Sequence, residues 1–353
     1  MAYTTIDDPS AHFHIHLYTG NNSNRSETND ANAGDFQPDW VWIKARGETK
    51  AGRIFDSSRG ATKVMYPSAT NSEATTATSL TSFDSDGFSL GSSDGINKNT
   101  ITYVGWQWKA NGGSRTTFTE SGDNPGGGYQ ANTTAGFSIV DFVGTGANGT
   151  VQHGLGVAPR WYIVKNRDRS ANWQVYHEDN GNTHYIKLNT TGVVLDNHEI
   201  FNDTSPTSSV FSVGIDQSVN FNGENHIAYV FAEIQGYSKF GSYKGNANAD
   251  GPFVYTGFKP AWLMIRNTID GEDWLMWDVK RDIANASGNP MTGRLKANDT
   301  IAEVNGNDID FLSNGFKIRT DSTYANGNGN TIIYMAFAEH PFVSSKGVPV
   351  TAR

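Results

Sequence analysis

Residues 157–177 read VAPRWYIVKNRDRSANWQVYH. A proline stands two places before a tryptophan, Trp161. A short apolar run leads to a base, Lys165, and a second tryptophan, Trp173, follows twelve residues after the first. The same offsets recur at Pro260, Trp262, Arg266 and Trp274. They recur again, without the second tryptophan, at Pro38, Trp40 and Lys44, where Ile54 and Phe55 are the nearest apolar residues. A period of roughly a hundred residues is too long for a solenoid unit and suits a small domain. Proline fits the first residue of a strand, because it lacks a donor. The continuous apolar runs Trp40–Lys44, Trp161–Lys165 and Trp262–Arg266 then predict strands covered on both faces.

The neighbouring sequence repeats in step. Residues 12–18, HFHIHLY, alternate so that Phe13, Ile15 and Leu17 share a face, and a Gly-Asn turn follows. Residues 137–146 and 253–258 are read as the matching openings. Each unit then has an irregular polar segment, at 56–82, 178–207 and 278–310. Each ends on an aromatic strand, TYVGWQWK at 102–109, HIAYVFAE at 226–233 and IIYMAFAE at 332–339. Phe88, Phe211 and Phe316 precede Trp108, Phe231 and Phe337 by 20, 20 and 21 residues. Unrelated strands would not keep such spacing.

Turn formers, β-branched residues and abundant aromatics (19 Phe, 14 Tyr, 9 Trp) predict an all-β chain of three tandem antiparallel β-sandwiches. The expected boundaries are an arm at 1–10, units at 11–110, 135–236 and 237–345, and a tail at 346–353. Between the first two units, 111–134 is rich in Gly, Ser and Thr and reads as a flexible linker about which unit 1 swings.

The net charge of −9 comes without a basic stripe, which argues against nucleic acid and anionic membrane surfaces as partners. No run approaches a membrane span, and the first residues have neither the basic nor the apolar part of an export signal. With no cysteine, disulfides and thiolate metal sites are excluded.

Several motifs match chemistry by letter only. Gly144–Gly149 fits G-x-G-x-x-G, but the residues after it are not helical, as a dinucleotide site requires. Gly91–Gly95 fits G-x-S-x-G, but no helix is expected behind Ser93, and the equivalent loops carry no such serine. A glycosidase dyad on a sandwich often has its two carboxylates two positions apart on one strand; Asp308 and Asp310 are the nearest pairing, but they fall in the irregular segment of the third unit, without a recognisable aromatic frame. His12, His14 and His16 alternate on one strand face, which makes His14 and His16 candidate metal or symmetry-axis residues. Asp84-Ser-Asp86-Gly87 starts like a calcium loop but lacks its later ligands, so no cofactor is assigned and calcium stays an option for the Asp-rich loops. Most tryptophans read as core; Trp173 and Trp274, with polar neighbours, are candidates for stacking on a sugar or covering an interface.

The wording of MAYTTIDDPSAHFHIHLYTGN at 1–21, DWVWIK at 39–44, SSRGATK at 57–63, FDSDGFSL at 83–90 and YVGWQWKANGG at 103–113 resembles virion structural proteins of marine tailed phages, of the cyanophage and pelagiphage type. TAGFSIV at 134–140 and GLGVAP at 154–159 extend the likeness, which covers nearly the whole chain. The resemblance implies jelly-roll sandwiches of the concanavalin or laminin-G kind. It implies a capsid decoration, fibre or tail-associated protein without catalysis, assembled in the host cytoplasm. Its partners would be other virion proteins and further copies of itself in a homo-oligomer. The alternatives are a lectin-like receptor-binding module for a host surface glycan and a polysaccharide-degrading enzyme.

Overall fold

Trp40–Ala45 lies between Arg53–Asp56 and Thr102–Trp108, and Phe13–Thr19 flanks the latter on its far side. All three pairings are antiparallel. The order recurs with Phe137–Val143, Asn225–Phe231, Trp161–Asn166 and Gln174–His177, and with Ser238–Lys244, Thr331–Pro341, Phe258–Asn267 and Leu275–Asp278. We call these the opening, closing, Trp and return strands of three blocks. Register matches residue by residue: Trp40 faces Trp108 and Asp56, Trp161 faces Phe231 and His177, and Trp262 faces Phe337 and Asp278. The computed structural model describes residues 3–30, 35–281 and 289–350. The ends of the expected arm and tail (1–2 and 351–353) and part of the 278–310 segment lie outside them. Strands make up 44% of the chain and helices 7%, so the chain is all-β with several antiparallel sheets.

The third opening strand is Ser238–Lys244, not 253–258 as its sequence suggests. Phe253–Tyr255 instead pairs with Gly315–Ile318 in an outer layer, as Arg25–Glu27 does with Gly87–Leu90 and Gly149–Gln152 with Val210–Val213.

Each block has its own core between these layers. Val41, Ile43, Phe55 and Phe88 serve the first, Tyr162, Val164, Tyr176 and Phe211 the second, and Leu263, Ile265, Trp277 and Phe316 the third. A fourth core belongs to all three. Because side chains alternate across a strand, Trp40 and Trp42 point away from Val41 and Ile43. On that side they join one cluster with Phe137, Trp161, Tyr229, Phe231, Trp262 and Phe337 from the other blocks. The Trp40 ring lies 4.7 Å from that of Tyr229, Trp108 lies 5.7 Å from Trp262, and Phe231 lies 6.0 Å from Phe337. The apolar run of each Trp strand is therefore explained by burial on both faces, and every residue of Trp40–Ala45 and Trp161–Asn166 is buried.

The blocks close into a ring through equivalent backbone bonds. Glu73 N donates to Arg167 O (2.8 Å), Val194 N to Thr268 O (3.1 Å) and Glu303 N to Arg46 O (2.9 Å). Two of the three seams carry the same buried ion cluster. Asp56 and Arg59 pair at 2.5 Å and Asp56 accepts from Tyr229 of the second block; Asp278 and Arg281 pair at 2.6 Å and Asp278 accepts from the Trp106 indole of the first. Glu73 binds Arg167, and Glu303 binds Arg46, across those seams. At the seam between second and third blocks, His177 stands in place of the aspartate, and Met335 stands at the position of Tyr229 and Trp106 and offers no donor. Burial holds His177 down to about 4, so it is neutral there.

The repeated base of each Trp strand is also a seam element. Lys44 donates to Asp299 O of the third block at 2.7 Å, and Arg266 to Gly192 O of the second. Lys165 stays within its own block, on Asn166 O and Arg169 O. Both ammonium groups are hydrogen-bonded to carbonyls, and burial lowers Lys44 and Lys165 to about 8, a smaller opposing pull on Lys44 coming from the Asp299 carboxylate.

The segment 111–134 is not a loose linker. Thr116–Phe118 and Gly126–Asn132 extend the second block's sheet beyond its opening strand. Its glycines mark close approach: a Cβ at Gly127 would lie 2.1 Å from Asp141 O. Asp39 accepts from the backbone of Ala110 and Gly112, and the buried Gln130 reaches Ser58 at 2.6 Å. With that anchoring and the shared core, unit 1 cannot swing as the composition suggested. The arm is likewise folded onto the chain. Thr4 and Ile6 are buried, Tyr3 donates to Gly257 O, and Asp7 accepts from Ser345 N at 2.6 Å.

One further element recurs three times. Single-turn helices Asp94–Asn97, Gln217–Asn220 and Thr323–Asn326 precede the closing strands, each ending on a fully buried asparagine. Asn97, Asn220 and Asn326 each accept from the backbone of the turn after the opening strand and donate to backbone carbonyls on either side. The turn must come close, and it begins with glycine each time: a Cβ at Gly20, Gly144 or Gly245 would lie 2.2–2.3 Å from a carbonyl oxygen behind the helix.

Candidate binding site

The single-turn helix, the return strand and the strand after it enclose the same corner in all three blocks, so the corners can be compared position by position. Register aligns Arg53, Gln174 and Leu275 on the return strands. It aligns Tyr66, Lys187 and Lys296 on the next strand, and Val64, Tyr185 and Arg294 two residues earlier. On the helix, Gly95, Ser218 and Tyr324 correspond.

In the first block the corner is filled by Arg53. Its guanidinium donates to Ser79 and Ser93 at 3.0 and 2.8 Å, and only glycine fits beneath it, since a Cβ at Gly95 would lie 1.7 Å away. In the third block Arg294 lies 4.5 Å over the Tyr324 ring, and both bind Asp308, at 2.8 and 2.7 Å. The second block has neither plug. Gln174 and Ser218 are short, and Gln174 Nε2 donates to Ser218 Oγ at 2.7 Å. What remains is an open concavity of about 450 Å³.

Its lining is polar. Gln174 is buried, and its Oε1 has no partner. Tyr185 projects from the next strand, with the Lys187 ammonium 6.0 Å from its ring. Burial, with the Asp216 carboxylate beside it, pushes the Tyr185 hydroxyl up, so it stays protonated. Among the described residues no hydrogen bond or ion pair engages the Tyr185 hydroxyl, the Lys187 ammonium or the Glu199 carboxylate. Ile200 and the half-exposed Ile215 add a small apolar patch. One wall is fixed: Arg169 grips Glu224 through two bonds of 2.6 and 2.5 Å and stacks 3.6 Å over Phe221. Asp216 caps the helix through Ser218 N at 2.8 Å.

The residues singled out in the sequence lie elsewhere. Trp173 and Trp274 are fully buried and donate across seams, to Tyr66 O at 3.0 Å and Lys187 O at 2.9 Å. Neither ring has a face open to a sugar; their polar neighbours belong to the seams. Gly52 occupies the same position in the first block, and there the Trp42 indole takes the space, 3.1 Å from a Cβ built on Gly52. His16 Nε2 pairs with Glu27 at 2.8 Å. His14 is buried beside a recess of about 270 Å³ near Asp30 and Lys280, its Nε2 lacks a partner, and burial lowers it to about 4. The two imidazoles are 6.3 Å apart, and among the described residues no group of three metal-ligating side chains gathers around them or anywhere else. Asp308 and Asp310 are held by Arg294 and Arg319 at 2.8 and 2.9 Å. Ser93 heads a single-turn helix and accepts from Arg53, an arrangement the sequence reading missed, and Gly149 of the G-x-G-x-x-G match opens a strand. The concavity itself was missed because its residues are ordinary polar ones. The sequence repeat gave no signal for it, because the equivalent return-strand positions hold Arg53, Gln174 and Leu275, and the third block's arginine, Arg294, sits at the position of Tyr185.

A family profile described as a domain of unknown function, DUF7483, matches residues 8–341. The chain belongs to the DUF7483 family. The matched span takes in all three blocks of this DUF7483 chain, in keeping with their common core. No curated protein and no solved structure matches it.

Proposed function

We propose that the chain is a non-enzymatic structural component of a tailed-phage particle, on the capsid surface or the tail. In this reading it is built from three tandem antiparallel β-sandwiches of the concanavalin or laminin-G jelly-roll kind. It acts in the virion, with other virion proteins and further copies of itself as partners. The observation that carries the reading is the fourth core, in which tryptophans and phenylalanines of all three blocks lock the chain into one body. Such a body suits a particle surface, where a component must hold its shape between fixed neighbours. The sequence resemblance supports the particle assignment. Immunogold labelling of intact particles with antibody against this chain is the test. Gold on the head or on the tail is the expected result. Antigen in the lysate with bare particles would overturn the reading.

A further inference from the structure

We propose that the open corner of the second block is a binding site for a pyranose unit of a saccharide. The inference goes beyond the particle assignment and holds for either end of the particle. It rests on a comparison within the chain. One corner is made three times, two are closed by an arginine, and the third keeps the frame while its side chains leave hydrogen-bonding capacity unused. A buried carbonyl such as Gln174 Oε1 without a partner is costly unless a ligand or water satisfies it.

The chemistry of the lining selects the ligand. Gln174 Oε1 and the Glu199 carboxylate accept, Lys187 donates, and the Tyr185 hydroxyl does either. These groups suit the edge of a ring bearing several hydroxyls. The patch of Ile200 and Ile215 suits a C–H face and is too small for an extended apolar molecule. The unpaired Lys187 and Glu199 offset each other, and Arg169 is committed to Glu224, so there is no net positive charge to hold a phosphate. The volume of about 450 Å³ accommodates one sugar ring with its solvent or a linked second ring.

The test is saturation-transfer NMR on the full chain with methyl glucoside, galactoside, mannoside, N-acetylglucosaminide and glucuronide as probes. Saturable transfer to at least one, with a dissociation constant on the order of 1 mM, is expected. Preference for the glucuronide would place a carboxylate on Lys187; preference for a neutral sugar would place hydroxyls there; both support the site. Gln174→Arg with Ser218→Gly copies the first block's plug and should abolish transfer with the fold retained by circular dichroism. Lys187→Ala, half-buried and outside every core cluster, should weaken binding about tenfold, and it guards against a plugged variant that fails to fold. Absence of saturable transfer with every probe overturns the proposal. So does transfer undiminished in both variants.

Discussion

Tyr229→Phe isolates one atom of the seam between the first and second blocks. The hydroxyl is fully buried and donates to Asp56 Oδ2 at 2.7 Å. Asp56 keeps its other partners in the variant: Arg59 Nε at 2.5 Å and Arg59 N at 2.9 Å. The hydroxyl also accepts a long bond from Arg59 Nη2 at 3.4 Å, but that nitrogen keeps Ile54 O, so the loss is dominated by one hydrogen bond to a charged acceptor, about 1.5–3 kcal/mol, and not an orphaned charge. With an unfolding entropy of about 2 cal/mol/K per residue, a chain of this length should lose roughly 2–4 °C in Tm. Asp56→Ala leaves the fully buried Arg59 with Glu73 as its remaining carboxylate partner, and the cost should rise to about 3–5 kcal/mol. Calorimetry with guanidinium melts of both variants and the double variant measures each and their coupling. Because the fourth core is common property, each variant should melt in a single transition. A Tyr229→Phe change of zero, full additivity with Asp56→Ala, or a thermogram split into independent peaks would refute the reasoning.

Protonation gives a second prediction. His14, His177 and His226 are each lowered to about 4 by burial, against an ordinary value near 6.5. Between those values the unfolded chain binds more protons than the folded one, so stability is complete above pH 6.5 and falls as pH drops toward 4. Denaturant melts across that window should show the loss, and His177→Gln should flatten it; a flat profile in the parent protein would contradict the buried neutral state. Trp173→Ala should cost about 3–5 kcal/mol, since it empties a buried volume and removes the indole bond to Tyr66 O across the seam, and thermal melting reads it. Asn220→Ala unpairs Thr145 N, Ala147 O and Gly214 O together and should cost more than about 3 kcal/mol, with faster hydrogen exchange at the Thr145 amide as its local signature.

The Pro-x-Trp strands were legible because burial on both faces writes an uninterrupted apolar run, and the closing strands because their aromatic spacing repeats. What covered the second face was not legible: no local pattern tells a tryptophan facing its own sandwich from one facing two neighbours. Trp173 was misread for that reason, since the polar residues around it serve a seam formed with sequence a hundred residues away. The Gly-rich run at 126–128 was misread as flexible because glycine permits both loose chain and close strand contact, and only the partner at Asp141 decides. The buried asparagines were visible as the last polar residue before each closing-strand turn, but asparagine is so common in loops that burial could not be inferred. The open corner could be read only by difference, once register aligned Gln174 with Arg53 and Leu275.

The ring also sets an order of events during synthesis. The inward indoles of the first block, Trp40, Trp42, Trp106 and Trp108, are complete once residue 108 has left the ribosome. Their cover includes Trp262 and Phe337, near the other end of the chain. At ordinary elongation rates the nascent chain carries that bare aromatic face for roughly 10–50 s. A message truncated before the last strand would leave it bare permanently, so incomplete products of this chain should be sticky and short-lived in a way that the finished one is not.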